Sequence, residues 1–215
     1  HHMDEEFYRS LGFRFIEPLL LRATSVIVNS NLAKQIVSQT GLISSSAISV
    51  VPLGVRPIDG RKSKQSVPTL VSVGWVSPAK RSKDLITAMQ FLDSSVKLQL
   101  VGPIDPGYRS ELETYAASIG LRDRVQITGA VSESEYQAYC QQGWIGIQLR
   151  SSGNAESSAT VLDLFAAGTP VISDIPTCRE LPGNSIKMLG AKAQAREIAF
   201  AVQDLLNDQK NCDRM

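Results

Sequence analysis

The sequence predicts an α/β domain built on an open, doubly wound parallel sheet. Three observations predict it. From residue 69 onward, short apolar runs alternate with stretches of helical length. The runs are nearly continuous in Val, Ile and Leu, as strands covered on both faces require. The segments between them are long enough for the crossover helices that parallel pairing demands. An eight-stranded barrel needs more chain than this core offers.

The elements follow in order. Residues 25–29 (SVIVN) read as a strand, and Ser30 as the N-cap of a short helix at 31–38. Residues 48–53 (ISVVPL) form the next strand, closed by Gly54. The polar stretch 56–68, with Pro, Gly and Lys, reads as a linker or exposed loop. Residues 69–74 (TLVSVG) open the main sheet, followed by a helix at 84–92, a strand at 97–102 and an amphipathic helix at 108–119 ended by Gly120. Residues 125–129 (VQITG) are a strand, and Ser132 with Glu135 makes a capping box that opens a helix at 133–142. A strand at 144–149, a helix at 158–167 stopped by Gly168, a strand at 170–173, a weak strand at 186–189 and a helix at 193–207 complete the pattern. Glu180 reads as a helix residue. Residues 1–55 hold too few elements to close a core and read as the tail of a preceding α/β domain, with 56–68 a linker and 69–215 the main domain.

Composition excludes several functions. The formal net charge is +1 and aromatics make up 6%, which gives no electrostatic or stacking case for nucleic acid. The two histidines, His1 and His2, precede Met3 as the remnant of a purification tag would. Without them the chain has no imidazole, so a Ser-His-Asp triad and a histidine zinc site are excluded. Cys140, Cys178 and Cys212 are far apart and odd in number, which suits structural thiols in a reducing compartment. Arg22 interrupts the most apolar run, so a soluble cytoplasmic protein is expected, with peripheral contact at the inner membrane face left open. Trp144 and Cys140 read as core residues.

In a doubly wound sheet, ligands bind outside the carboxyl ends of the strands. The loop after residue 73, GWVSPAKRSK, offers a turn at Gly74 and the cations Lys80, Arg81 and Lys83 before a helix. A helix start with a cation can hold a phosphate, each charge-assisted bond contributing about 1.5–3 kcal/mol; a solvated basic turn is the alternative. The second loop, RSSGNAESSATVLDLFAAGTP, follows a strand and begins with Arg150, either an anion ligand or an exposed cation. It runs through Gly153 to a helix start crowded with Ser157, Ser158, Ala159 and Thr160, whose amides can approach a phosphate closely. Asp163, inside that helix, can accept both hydroxyls of a vicinal diol such as a ribose. An ordinary capped helix with a solvated Asp163 is the alternative there. Cation, anion cradle and diol acceptor together suit a nucleotide diphosphate. Neither a GxxxxGK[ST] loop nor a GxGxxG fingerprint occurs, and there is no DxD.

These segments, in this order, resemble the carboxyl-terminal, donor-binding domain of a family 4 retaining glycosyltransferase (glycosyl transferases group 1), a Rossmann-like half of the GT-B architecture. The resemblance runs through residues 17–207: SVIVNSNLAKQIV and ISVVPLGV, then LVSVGWVSPAKRSKDLITAM, LQLVGP, RVQITGAVSESEYQAY and AESSATVLDLFAAGTPVISD. It implies that Lys80 binds the donor diphosphate beside the Gly74 turn, where Trp75 replaces the family's arginine. It implies that Gly129, Ala130 and Val131 meet the base and that Asp163 stands for the ribose-binding glutamate. The first glutamate of that motif is Ala155 here, with Glu156 one residue later and expected to face the sugar. Ser157, Ser158, Ala159 and Thr160 are implied to contact sugar and diphosphate through backbone amides. Lys80 and Glu156 are the implied catalytic residues.

The implied reaction transfers a sugar from a nucleotide-sugar to a hydroxyl of a glycan, a lipid-linked glycan or another acceptor. Configuration is retained, and no metal or other cofactor is needed. The acceptor side and any membrane contact would fall to an amino-terminal domain, so these residues alone are expected to bind donor without turnover. Alternatives are a nucleotide-sugar 2-epimerase or phosphorylase on the same fold, and a degenerate domain that only binds nucleotide-sugar, glycan or a protein. A response-regulator-like domain would want an acidic cluster at the strand ends, which is missing.

Overall fold

The computed structural model describes residues 13–55, 58, 63–151, 156–182 and 186–208. The tag residues His1 and His2, most of 56–62, Gly153, Ala155 and Cys212 lie outside them. The chain divides into two compact units, one running to Gly54 and taking in Glu156 and Ser157, the other starting at Val55.

In the first unit, strands β1 (Val26–Val28) and β2 (Ile48–Val50) and helix α2 (Asn31–Gln39) fall where the sequence places them, and helix α1 (Phe13–Leu20) lies where it assigns no range. The two strands pair in parallel, Val26 opposite Ile48. Ser30 caps α2 as expected: its Oγ accepts from the Ala33 N–H at 3.0 Å.

The second unit is a six-stranded sheet with every pair parallel. Its strands are β3 (Thr69–Val73), β4 (Lys97–Val101), β5 (Val125–Gly129), β6 (Ile145–Gln148), β7 (Val171–Ser173) and β8 (Ile186–Met188), in spatial order β5-β4-β3-β6-β7-β8. Period-two alternation gives the sheet two apolar faces. Leu70, Leu98, Leu100, Ile145, Ile147 and Ile172 feed one buried cluster, together with helices α3 (Ser82–Ala88), α4 (Pro106–Ser118) and α7 (Ala195–Asn207). Val71, Val73, Val101 and Val171 feed the other, with helices α5 (Glu133–Gln142) and α6 (Ala159–Ala166). That two-sided burial is why the central strands β3, β6 and β7 read as nearly continuous apolar runs, while Gln99 and Gln126 mark the more open strands β4 and β5.

Two boundaries differ from expectation. The helix expected at 84–92 starts at Ser82 and ends in a 3₁₀ turn, Met89–Phe91. The expected linker is docked at its far end. The Gln65 N–H donates to Gln142 O at 3.1 Å, Trp144 Nε1 donates to Gln65 O at 2.8 Å, and Lys64 Nζ donates to Gly143 O at 2.6 Å. Trp144 thus packs against the core and also satisfies its indole N–H. Glu180 lies in a 3₁₀ turn, Pro176–Glu180. Among the described residues no helix is long and apolar enough to cross a membrane.

Candidate functional site

The carboxyl edge of the sheet is opened by glycines. Gly74 and Gly102 follow β3 and β4 with φ of +92° and +135°. A Cβ on Gly102 would lie 2.3 Å from Gly74 O, inside any allowed contact, so the two backbones meet this closely only because Gly102 carries no side chain. Gly102→Ala is therefore expected to cost about 3 kcal/mol, through strain at positive φ plus the overlap. Urea unfolding measures it, and a loss under about 1 kcal/mol would mean the turn relaxes freely.

The Gly74 turn makes room for Lys80. A Cβ at Gly74 would sit 2.7 Å from Lys80 Nζ and 2.8 Å from Thr160 Cγ2. The 3₁₀ turn Pro78–Lys80 brings the lysine back so that its Nζ donates to Val73 O at 2.7 Å. Gln148 Nε2 donates to the same carbonyl at 3.1 Å, and its Oε1 is buried with no partner among the described residues. Burial, with the Arg150 charge added, brings Lys80 down to about 8. A lysine beside an arginine in a half-buried turn is a site in need of negative charge.

The two loops singled out in the sequence meet here. The Ser151 N–H donates to Ala79 O at 2.9 Å, and Thr160, in the first turn of α6, lies against the Gly74 turn. Among the described residues no side chain caps α6 at Ser158, and the amides at its start can bind an anion. Ser158 Oγ and Thr160 Oγ1 are 3.0 Å apart. Asp163 follows Thr160 by three residues, on the same face of α6, and accepts a hydrogen bond from Tyr136 Oη at 2.7 Å. Gly129 ends β5 at the same edge, and Val131 packs on the core beyond it. Trp75 is 62% exposed. Glu156 and Ser157 belong to the first unit, where Ser157 Oγ donates to Asn29 O at 3.1 Å.

Arg81 differs from expectation. It sits in the left-handed region (φ 57°), and its guanidinium is spent inside the protein. Nε donates to Asp84 Oδ2 at 2.8 Å, Nη1 to Asp174 Oδ2 at 2.9 Å, and Nη2 to Ala193 O. Asp174 Oδ1 accepts from the Arg150 N–H at 2.8 Å. Arg81 therefore ties β7, the start of α7 and the Arg150 segment together, and with Lys83 turned to Glu111 at 3.4 Å, Lys80 is this loop's phosphate candidate. Sequence reasoning missed Asp174, Gln148 and Tyr136, whose partners lie far along the chain. Cys140 is buried and pushed up to about 12 by burial and the Asp163 charge, an inert thiol as expected. A cleft of about 480 Å³ beside the site is lined by Lys83, Tyr108, Glu111, Arg150 and Lys192. Its charges are mixed and it includes neither Lys80 nor Asp163, so the chemistry is assigned by the side-chain cluster and not by the cleft.

The six-stranded parallel sheet with a glycine-opened carboxyl edge is the Rossmann-like fold of GT-B glycosyltransferases. Residues 58–215 match the family described as glycosyl transferases group 1, and the chain belongs to that family. A comparison with curated proteins returns no match. Among solved structures, the chain is similar to Anabaena Alr3699/HepE in complex with UDP-glucose, with TM-score 0.82, 17% identity and coverage of 98% of this chain and 62% of that one. It is also similar to a glycosyltransferase from Rickettsia africae ESF-5, with TM-score 0.79, 17% identity and coverage of 99% and 60%. A third is the sucrose-phosphate synthase of Thermosynechococcus elongatus, with TM-score 0.76, 19% identity and coverage of 95% and 54%. The chain spans between 54% and 62% of the length of these relatives.

Proposed function

We propose that this chain carries the donor side of a retaining glycosyltransferase and binds a nucleotide-sugar at the carboxyl edge of its six-stranded sheet. The observation that carries the reading is the meeting of Lys80, Arg150 and the uncapped start of α6 around the Gly74 turn. Those groups match a diphosphate in charge and in donor geometry. Lys80 neutralises the departing diphosphate, whose charge grows as the glycosidic bond breaks, so its contribution is larger in the transition state than in the ground state. Asp163 accepts the ribose hydroxyls, and Gly129 to Val131 line the base. For Glu156 and Ser157 the family resemblance alone supports a role toward the sugar. The positive charge supplied by Lys80, Arg150 and the helix start makes a bridging metal unnecessary. Anabaena HepE, solved with UDP-glucose, supports a nucleotide-sugar as the ligand class.

The acceptor is a hydroxyl of a glycan, a lipid-linked glycan or a similar molecule, held outside the donor residues, so these 215 residues bind donor without appreciable transfer. Calorimetric titration with UDP, GDP, ADP and CMP in the presence of EDTA tests the reading. Saturable binding of one diphosphate is expected, and it names the base. Binding of none would favour a degenerate domain, a reading supported by Trp75 exposing an indole where the family has an arginine. Sugar transfer by this chain alone would overturn the division of labour.

A further inference from the structure

We propose that Tyr136 is a positioning residue for ribose recognition, its hydroxyl holding the Asp163 carboxylate ready for the nucleotide. The inference rests on the reading of Asp163 as the ribose acceptor. Tyr136 is placed by helix α5, whose start is locked by the Ser132–Glu135 capping box. Its ring packs on the buried cluster of Val71, Cys140 and Leu164. Its Oη donates to Asp163 Oδ2 at 2.7 Å, a distance typical of a charge-assisted bond. Burial and the bond to Asp163 push the ionisation of the hydroxyl upward, so it stays a donor at neutral pH. A carboxylate has room for about four hydrogen bonds. With Oδ2 anchored by one donor, Oδ1 and the remaining lone pair are presented in a fixed orientation to a diol.

The alternative is a plain clamp between α5 and α6, and discrimination between ribose and its dideoxy analogue separates the two. UDP, GDP and ADP are titrated calorimetrically against their 2′,3′-dideoxy counterparts and inorganic pyrophosphate. The wild-type chain is expected to prefer the ribonucleotide. Tyr136→Phe, with the fold verified by near-ultraviolet circular dichroism, is expected to weaken ribonucleotide binding about five- to tenfold. Dideoxynucleotide and pyrophosphate binding stay unchanged. In an Asp163→Ala background Tyr136→Phe should add nothing, since the two act as one unit. Full preference retained by Tyr136→Phe, or equal weakening of both nucleotides, overturns the proposal while leaving Asp163 in its role. A wild-type chain that binds nucleotide without preferring the ribose removes the Asp163 reading and this inference with it.

Discussion

Replacing Lys80 with alanine is expected to raise the Kd for the nucleoside diphosphate by about ten- to a hundredfold, at 1.4 kcal/mol for each factor of ten. The loss reflects one charge-assisted bond, on the order of 1.5–3 kcal/mol, made in a half-buried turn where screening is weak. Stability should not fall with it. The ammonium is desolvated and sits beside another cation, so its removal relieves a cost that offsets the lost bond to Val73 O. An unchanged or slightly higher Tm in Lys80→Ala, alongside lost binding, would separate a ligand role from a folding role.

The same lysine predicts opposite pH slopes for binding and folding. Its pKa is about 8 in the folded chain and 10.5 in the unfolded one. Between these values the unfolded state holds more of this proton, so the contribution of Lys80 to stability rises as pH climbs from about 8. Diphosphate binding favours the protonated form, so Kd should worsen across the same interval. Titrations at pH 7, 8 and 9 measure the second slope. A Kd that stays flat over that range would mean Lys80 does not face the phosphate.

Asp174→Ala is expected to destabilise the fold by about 3 kcal/mol, because it removes the buried carboxylate from a buried guanidinium and leaves it only the half-exposed Asp84 as counter-charge. The side chains of Arg81 and Asp174 are 9% and 2% exposed, and Asp174 also accepts from the Arg150 amide. For a chain of this size the loss corresponds to a Tm drop on the order of 10 °C. Asp84→Ala removes the other carboxylate on Arg81, but that side chain is 49% exposed, and the expected cost is under about 1 kcal/mol. Thermal unfolding of both variants compares them directly. Similar losses would show that the network is not anchored at Asp174.

The contrast between Arg81 and Lys80 marks what the sequence could convey. Both are cations of one loop, and a strand–glycine–helix pattern predicts that loop as an anion site without telling them apart. Arg81 is claimed by Asp174, 93 residues away, a pairing that no local period encodes. Its left-handed backbone is equally silent, because that conformation is read from Gly or Asn and not from Arg. Where local chemistry decides, the reading was close: β5 and α5 match their expected ranges, the one ended by Gly129 and the other opened by the Ser132–Glu135 box. Helix α1 received no range because Pro18, inside it, interrupts the local pattern. The joining of the Gly74 and Thr160 loops was legible, since both follow strands of one parallel sheet and must emerge at one edge. The bond from Tyr136 to Asp163 was not, because it depends on how α5 and α6 lie against each other on the same face.

The strand order also governs what happens while the chain is being made. β3 is the first strand of its sheet to leave the ribosome, yet it ends in the middle, between β4 and β6. β4 can cover one side early. The other waits for the pairing of Val71 with Gly146, about 75 residues later, which at roughly 5–20 residues per second is on the order of 4–15 seconds. Throughout that interval the nascent protein presents a Leu- and Val-rich strand with one unpaired edge, the kind of template that invites association with other chains or capture by a chaperone. The yield of folded protein is therefore expected to be more sensitive to the speed of translation through residues 102–145 than to its speed through β7 and β8.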